Sequence, residues 1–514
     1  MLQPYSIYGI SILAAALLLL GWQKSSNYIY NGALKFAVYL QIPFLRTSPL
    51  EVLLVLGYIG INTVLMLPEI TGLALSRSAS RLALVNLVVA FWGGSTSVAT
   101  RCFLPSRRQL GSIHQWAAAI ATAQAATHGI SLLRDHTNSH VLSGSLVAAC
   151  FLAGLTMVIS SVSRIGPIIV RLHQLLPVLT IASISWHLVD VSNPFPTLAW
   201  ILLVLSLVLW LIVQLERLVS MALNRAKISK VESRGGLLRV TVRTRRPIEG
   251  RPGYLYIRFA GISLRHPFRG AAIPITWWAP SKKDLCEAVF FLPESAVSKK
   301  SRNMGQRDVE DKSLRGSLQG PFSEGLDLGR FETILLMAQG RGIAGLLPLA
   351  LSLLERKDHD VWVKGVPNRD ATTATSFYKN PFQLHNDKVR KVDLYWKLEN
   401  ETFDDAVIDY LESLRSLEKG NMRLQVWFCY PPGTKESKLP RRDGWSAFDG
   451  DFMIEISKAL DKQSRRTPGG TLVITCGSRI FMDNIRSIVR HRMDSENQIR
   501  FEELSYATTI YCKE

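Results

Sequence analysis

The chain has 514 residues, with 60 Lys+Arg against 41 Asp+Glu and a formal net charge of +19, and 47% of its residues are hydrophobic. Only 12 of the basic and 5 of the acidic residues precede residue 221, so +7 falls on a sparsely charged N-terminal part and +12 on the rest. This spread argues against a basic nucleic-acid-binding arm, and no nucleic-acid partner is expected. At roughly 100–200 residues per domain, the length predicts about three domains. The six cysteines form no CxxC pair, so neither a disulfide framework nor a zinc site is expected.

Seven hydrophobic runs mark the N-terminal part, and several approach the ~20 residues that a membrane-spanning helix needs. The first lacks the basic flank and the small-residue cleavage site of a signal peptide, so a helix is predicted there. The third is short and ends at a Gly-Gly pair, so a re-entrant or tilted segment is the alternative to a span. The runs lie at about 5–22, 51–68, 82–95, 113–133, 142–163, 170–189 and 196–216.

The basic residues of the short connecting loops predict the orientation of these spans. Loops one, three and five carry eight Lys or Arg residues, whereas loops two, four and six carry three, namely Arg77, Arg81 and Arg134. The excess places the odd-numbered loops on the inner side. With seven spans, the N-terminus lies outside and the C-terminal part lies in the cytoplasm.

Two of the predicted spans each carry a pair of histidines, which are costly inside a bilayer and therefore suggest a functional site. His114 and His128 lie in the fourth run, and His173 and His187 in the sixth. Both separations are 14 residues, which at about 100° and 1.5 Å per residue puts each pair on nearly one helix face, roughly 21 Å apart. The two helices run parallel, so His114 comes level with His173 and His128 with His187. Such facing imidazoles suit the axial positions of two haem irons; interfacial histidines bonded to backbone or lipid headgroups are the alternative.

The residues around these histidines carry a family resemblance. Leu110-Gly-Ser-Ile-His114-Gln-Trp and His128-Gly, followed by His173 to His187, resemble the transmembrane domain of the fungal ferric reductases, relatives of the NADPH oxidases. That family holds two stacked b-type haems on His-x13-His helices. The resemblance implies an inner haem on His114 and His173 and an outer haem on His128 and His187.

After about residue 228 the pattern changes to short β-rich runs with turn residues, which predicts an antiparallel barrel. A His-Pro turn follows the second of these runs, and by itself it indicates only a turn. Its position after Pro252-Gly-Tyr resembles the flavin-binding segment of the same family, which implies FAD binding at His266, Pro267, Phe268 and Arg269. The family usually has Thr or Ser where Arg269 stands; an arginine could pair with the pyrophosphate or could weaken flavin binding. The polar stretch 297–319 is expected to be an exposed loop.

The third predicted domain begins with the buried run Thr333-Ile-Leu-Leu-Met-Ala, a turn with Gly340 and Gly342, and a helical run. A strand, a tight glycine turn and a helix N-terminus form a phosphate-binding corner, although the full G-x-G-x-x-G fingerprint is missing. Further strands at 391–397, 422–430 and 471–476, with helices between them, predict a parallel α/β sheet. The Pro- and Gly-rich stretch 431–451 is expected to be a loop.

Family likeness extends to this domain. Ala338-Gln-Gly-Arg-Gly-Ile-Ala resembles the family's nucleotide turn, and Cys476-Gly477-Ser478 resembles its Cys-Gly-Pro motif, with Ser478 for Pro and Ser323 for Gly of an upstream turn as departures. The resemblance implies that Cys476 lies where nicotinamide meets flavin, against the alternative of a buried strand-end thiol. Lys397 at a strand end could meet the 2′-phosphate of NADPH or could be a solvated surface lysine.

The resemblance runs from about residue 81 to 503 and implies a membrane all-α bundle of about seven spans, followed by a ferredoxin-reductase-like FAD barrel and nucleotide domain. The expected domains are 1–220 for haem, 221–325 for FAD and 326–514 for NADPH. The implied enzyme is a ferric-chelate reductase of the plasma membrane, with an internal membrane as the alternative. It passes electrons from cytoplasmic NADPH through FAD and two haem b groups to a ferric chelate or cupric ion, supporting iron and copper uptake. A partner subunit and a homo-oligomer both stay open.

Three other functions remain in competition. A superoxide-forming NADPH oxidase has the same architecture. The departures at Arg269, Ser323 and Ser478 allow a non-enzymatic haem membrane protein, or an interaction scaffold, with decayed flavin and nucleotide sites. A channel or transporter could instead use the histidines as a proton relay.

Overall fold

The computed structural model describes the chain in segments that form two compact units, Met1–Glu216 and Arg217–Glu514. The predicted flavin-binding residues 266–269 and the predicted runs at 5–22 and 142–163 lie outside the described residues. The described residues are 49–66, 72–93, 107–135, 166–191, 197–223, 225–234, 237–244, 254–259, 273–281, 285–293, 315–322, 326, 328–365, 384–399, 404–418, 423–430, 445–448, 450–466, 470–492 and 499–504.

Five helices of 18 to 29 residues make up the described part of the first unit and fall on five of the seven predicted runs. The predicted start of the third run is wrong, because its helix begins ten residues earlier, at Gly72. Arg77 and Arg81, expected in a loop, therefore lie on that helix; the Leu-, Ala- and Ser-rich segment around them favours helix although it is not uniformly apolar. The helices are α1 Pro49–Met66, α2 Gly72–Gly93, α3 Arg107–Asp135, α4 Gly166–Val191 and α5 Thr197–Leu223.

Apolarity and length single out two of these helices as candidate membrane spans, within Ala74–Phe91 of α2 and Leu198–Glu216 of α5. Shorter apolar stretches occupy Val55–Met66 and Pro177–Val189. Helix α3 is less apolar, since it is rich in Ala, Thr, Gln and His. Two such helices among the described residues do not establish a bundle of seven spans, which stays a prediction.

A buried network of amide side chains joins α1, α2 and α3. Asn86, which is fully buried, donates to the side-chain oxygens of Asn62 and Gln124 at 2.7 Å each, and Gln124 donates to Asn62 at 2.9 Å. The Tyr58 hydroxyl donates to Asn86. Polar side chains that bond one another across helices hold such helices together where water is excluded.

The second unit begins with seven strands, all paired antiparallel in the order β4-β3-β7-β1-β2-β6-β5. Edge strands β4 and β5 are separated in sequence only by Ile275 and Thr276, so the sheet must curl until its two edges meet, which gives the predicted barrel. Thr276 N–H donates to the Val289 carbonyl at 2.9 Å and so extends the pairing of β5 with β6 into this corner. The strands are β1 Arg225–Arg234, β2 Leu237–Thr244, β3 Tyr254–Phe259, β4 Ile273–Pro274, β5 Trp277–Ser281, β6 Leu285–Pro293 and β7 Arg315–Phe322.

Six parallel strands in the order β11-β10-β9-β8-β12-β13 follow, and the alternating helices confirm the predicted α/β pattern. The strands are β8 Thr333–Gln339, β9 Lys391–Lys397, β10 Arg423–Cys429, β11 Trp445–Phe448, β12 Thr471–Cys476 and β13 Ile499–Glu503. The helices are α6 Ile343–Lys364, α7 Asp404–Leu417, α8 Phe452–Arg466 and α9 Arg479–Arg490.

Two of the stretches predicted as loops contain strands. Strand β7 begins inside 297–319, and β11 lies inside 431–451. Neither has a strong apolar alternation of its own, and each is ordered by pairing with a longer neighbour, β1 and β3 for β7 and β10 for β11. Tertiary pairing therefore overrides the local sequence signal.

The barrel packs on helices α6 and α7 of the parallel domain. Trp278, which is almost fully buried, donates its indole N–H to both carboxylate oxygens of Glu355 at 3.0 and 3.1 Å. Tyr410 packs against Trp277 at a ring-centroid distance of 5.1 Å, and the Arg239 guanidinium lies 4.7 Å from the Tyr410 ring centroid. The two domains of this unit thus share one hydrophobic core with polar bonds at its border.

Candidate functional site

The glycine turn predicted to bind a nucleotide lies between β8 and α6, at the centre of the parallel sheet. Gly340 has a φ of +51°, a left-handed conformation that favours glycine, and the turn Gly340–Gly342 leads directly into α6. The indole N–H of buried Trp396, on β9, donates to the Gly340 carbonyl at 2.8 Å and fixes the turn. Backbone N–H groups at the start of α6 and the helix dipole make this corner suitable for a phosphate.

The Cys-Gly-Ser motif meets this turn although more than 130 residues separate them. Ala338 and Cys476 are register partners on β8 and β12. A Cβ atom added to Gly342 would lie 2.2 Å from the Cys476 carbonyl oxygen, and one added to Gly477 would lie 2.9 Å from Gln339 Cβ. Gly342 is therefore required for close backbone approach, and Gly477 leaves room for the neighbouring side chains of Gln339 and Phe481. The two motifs that sequence reasoning assigned to one site form one corner.

Ser478, a departure from the family pattern, has a structural role here. Its hydroxyl accepts a hydrogen bond from the Phe481 N–H at 3.3 Å and thereby caps the N-terminus of α9. The Ser478 hydroxyl and N–H also donate to the Gln339 side-chain carbonyl, at 2.6 and 3.2 Å. The serine thus joins the two halves of the corner, a contact that the sequence did not indicate.

Cys476 is fully buried at the end of β12. Its backbone carbonyl, rather than its thiol, makes the close contact with Gly342. This environment is that of a packed strand-end thiol, and the predicted catalytic role of Cys476 beside the nicotinamide stays a prediction.

Two charged residues at the end of β9 are relevant to which dinucleotide would bind. Lys397, predicted to meet a 2′-phosphate, is the register partner of Gln339 next to the glycine turn. Glu399 was missed by sequence reasoning: a Cβ added to Gly340 would lie 2.4 Å from its Cδ and 2.6 Å from both carboxylate oxygens. A carboxylate after the second strand of a βαβ unit suits the ribose hydroxyls of NADH and opposes an additional phosphate. Its place after β9 was the sequence signal that could have found it.

The four predicted haem ligands come together as two pairs between α3 and α4. The ring centroids of His114 and His173 are 5.9 Å apart, and those of His128 and His187 are 6.0 Å apart. The ring planes of the two pairs are inclined by 86° and 74°. The equal spacing of 14 residues on each helix is thus converted into two facing pairs at two levels.

The ring-centroid distances of these pairs can be compared with that of two imidazoles bound to one metal ion. Two imidazoles on opposite sides of one iron, with metal–nitrogen bonds of about 2 Å, would have centroids roughly 6 Å apart. The described residues contain no group of three or more His, Cys, Asp or Glu suited to a metal ion, so each pair could supply two axial ligands but no full protein-derived coordination shell. A haem, whose porphyrin supplies the other four ligands, is compatible with that donor set.

Searches for relatives give fold likeness only. No family model matches the chain and no curated protein matches it. Among solved structures, the ferredoxin reductase of carbazole 1,9a-dioxygenase in its FAD apo form is 12% identical with a TM-score of 0.28, over 55% of this chain and 65% of that chain, less than two thirds of its length.

A mutant ferredoxin-NADP+ reductase from Plasmodium falciparum with 2′P-AMP is 12% identical, with a TM-score of 0.30 over 55% of this chain and 96% of that one. The siderophore-interacting protein from Acinetobacter baumannii is 8% identical, with a TM-score of 0.27 over 56% and 93%. These proteins are similar to this chain only at low identity and low TM-scores.

Proposed function

We propose that this chain is a transmembrane oxidoreductase that uses cytoplasmic NAD(P)H, FAD and two b-type haems to reduce a ferric chelate or cupric ion outside the membrane. The observation that carries the proposal is the pair of facing histidine couples, at 5.9 and 6.0 Å, on two helices. Interfacial histidines that merely bond backbone would have no reason to face each other twice at one spacing.

The C-terminal unit would supply the electron donor's site. The turn Gly340–Gly342 and the first N–H groups of α6 would hold the pyrophosphate, and Cys476 and Gly477 would form the neighbouring wall. When bound, FAD would take the two electrons of a hydride together and release them singly, which matches a two-electron donor to one-electron haem iron. His266, Pro267, Phe268 and Arg269 are proposed to hold it on the strength of the sequence resemblance.

The apolar surface of α5 supports a membrane location. Large apolar side chains such as Ile201 and Leu215, each 61% exposed, cover this helix along the candidate span. A soluble surface rarely carries so continuous an apolar helix, whereas lipid would cover it. The inner position of the C-terminal unit is proposed from the loop charges.

The choice of acceptor follows from the two-histidine donor sets. If both histidines of a pair held one haem, they would leave its iron no site for a substrate, which would favour an acceptor that receives electrons without binding the iron. A ferric chelate or cupric ion needs no iron coordination. Molecular oxygen can also be reduced at a haem edge, so superoxide formation is the second candidate within this architecture.

The first experiment is an oxidised-minus-reduced absorbance spectrum of the purified full-length protein, with NADPH, NADH or dithionite as donor. Wild type should show two haems per chain and His114→Ala one or none, while His491→Ala, which removes an exposed histidine, should match wild type. No Soret absorbance in wild type would refute the proposal and favour a proton-conducting channel or transporter.

Two further measurements separate the remaining functions. One FAD per chain with haem reduction by NADH or NADPH supports the enzyme, whereas haem without flavin identifies a protein with a decayed flavin site. Ferric-chelate reduction that persists with superoxide dismutase supports direct metal reduction. If dismutase abolishes it, the chain is a superoxide-forming oxidase.

A further inference from the structure

Helix α2 packs along α3 and contacts both of its histidines. The Nδ1 atom of His114 lies 2.7 Å from the Ala90 carbonyl oxygen. The Nδ1 atom of His128 lies 3.0 Å from the Ser76 carbonyl oxygen. Ser76 and Ala90 are separated by 14 residues, the same spacing as the histidines, so two antiparallel helices bring both pairs of atoms together at two levels.

These contacts select one protonation form of each neutral imidazole. A carbonyl oxygen can only accept, so Nδ1 must carry the proton and donate it. The other ring nitrogen, Nε2, then keeps its lone pair and is the atom available to a metal. A donated Nδ1–H bond also fixes the orientation of a ligating ring and makes it a stronger electron donor.

Ser76 makes the two levels unequal. Its hydroxyl oxygen lies 2.7 Å from His128 Nδ1, and the hydroxyl donates to the His128 carbonyl at 3.5 Å, so it can accept the Nδ1–H together with the Ser76 carbonyl. Ala90, the corresponding residue at the other level, has no side-chain acceptor. Ser76 is only 2% exposed, so water does not compete for its hydroxyl.

The α4 side has no equivalent support at the first level. The buried Nδ1 atom of His173 has no hydrogen-bond partner among the residues that the structure describes. Orientation at the His114–His173 level therefore depends on the Ala90 carbonyl, whereas the His128–His187 level has an additional hydroxyl.

We infer that α2 is the positioning helix of both histidine pairs and that the Ser76 hydroxyl makes His128 a stronger electron donor than His114. The inference rests on the haem binding proposed above. Removing the hydroxyl should weaken the donor at one level only, which favours the reduced iron there. The midpoint potential of one haem should rise and that of the other should stay constant.

The test is a spectroscopic redox titration of purified full-length Ser76→Ala, compared with wild type and with Ser80→Ala. Ser80 is the matched control, because its hydroxyl bonds within α2 to the Arg77 carbonyl at 2.9 Å. We expect Ser76→Ala to keep both haems and to change the reduced-to-oxidised ratio of one of them about threefold, the scale of one hydrogen bond. For a one-electron couple that change is about 28 mV, at about 59 mV per tenfold.

Unchanged potentials, or an equal shift of both haems, would overturn the inference. His187→Ala identifies the level, because the haem that it removes should be the one whose potential shifts in Ser76→Ala. Ser76→Thr, which retains a hydroxyl, should restore most of the shift, whereas a purely packing effect would not be restored. Absence of haem from wild type would refute the proposed function instead, so the two failures are distinguishable.

Discussion

The helical unit and the C-terminal unit build their candidate sites in different ways. In the helical unit, three helices repeat a 14-residue spacing, at His114 and His128, His173 and His187, and Ser76 and Ala90. In the C-terminal unit, the corner is assembled from three strand ends that lie far apart in sequence. Helical periodicity converts sequence distance directly into spatial distance, whereas a parallel sheet brings residues together only through the order of its strands.

The largest expected effect tests whether the C-terminal corner depends on close backbone approach. Gly342→Ala would place a Cβ atom 2.2 Å from the Cys476 carbonyl oxygen, a backbone atom that cannot move alone. We expect a loss of about 2–3 kcal/mol in unfolding free energy. Dinucleotide binding should also be lost. Urea unfolding of the full chain measures the stability, and titration calorimetry measures the binding. Gly450→Ala, whose Cβ would meet nothing within 4 Å, should behave as wild type; equal behaviour of both variants would contradict the close contact.

The contact between the barrel and α6 should make the C-terminal unit sensitive to pH. Burial raises the pKa of Glu355 from 4.5 to about 7, against the opposing effect of the Trp278 hydrogen bond. For a carboxyl whose pKa is raised by folding, the stability is fully present below pH 4.5 and is lost as the pH rises through about 7.

Glu355→Gln, which keeps an acceptor for Trp278, should remove this loss. After allowance for partial exposure, we expect it to exceed wild type by about 2 kcal/mol at pH 8 and to match it near pH 4. Unfolding measured across that pH range provides the check. Glu455→Gln, an exposed glutamate bonded to Lys458, is the control; a constant difference between Glu355→Gln and wild type would contradict the assigned cause.

Dinucleotide selectivity tests the charges at the end of β9. Because the Glu399 carboxylate lies against Gly340, Glu399→Arg should remove repulsion of a 2′-phosphate and add a partner for it. We expect the ratio of NADPH to NADH affinity to rise about tenfold, roughly 1.4 kcal/mol. Competition by 2′-phospho-AMP and AMP measures the same preference without turnover. Glu455→Arg controls for net charge, and an equal rise in both affinities would show that Glu399 does not select.

The smallest expected effect concerns the amide network of the helical unit. Asn86→Ala would remove the donor shared by Asn62 and Gln124. Interhelical hydrogen bonds in membrane proteins contribute about 0.6 kcal/mol on average, so we expect a loss of about 1 kcal/mol in detergent-based unfolding. Thr63→Ala is the control, since that exposed hydroxyl bonds only its own helix at Ile59. A loss of unfolding free energy larger than that of Gly342→Ala would contradict the expectation that the C-terminal corner is the more sensitive of the two sites.

The sequence allowed the histidine pairing, the antiparallel and parallel sheets, and the meeting of the glycine turn with Cys476-Gly477 to be predicted. It did not indicate the partners that complete these sites. Ser76 lies before the apolar run expected to span. Glu399 and Gln339 matter only because β8 is the neighbour of both β9 and β12. Such contacts depend on side-chain direction and strand order, which neither local periodicity nor short motifs encode.

The closure of the barrel at Ile275 and Thr276 has a consequence for how the chain avoids self-association. The edge strands of this sheet, β4 and β5, are only two and five residues long, so the row of unpaired N–H and C=O groups on either edge is short. The parallel sheet does have two edges, but β11 is only four residues long and β13 carries charged side chains, including the Arg500–Glu502 ion pair at 2.6 Å. Among the described residues, few strand edges are therefore long enough for another copy of the chain to nucleate an intermolecular sheet on them.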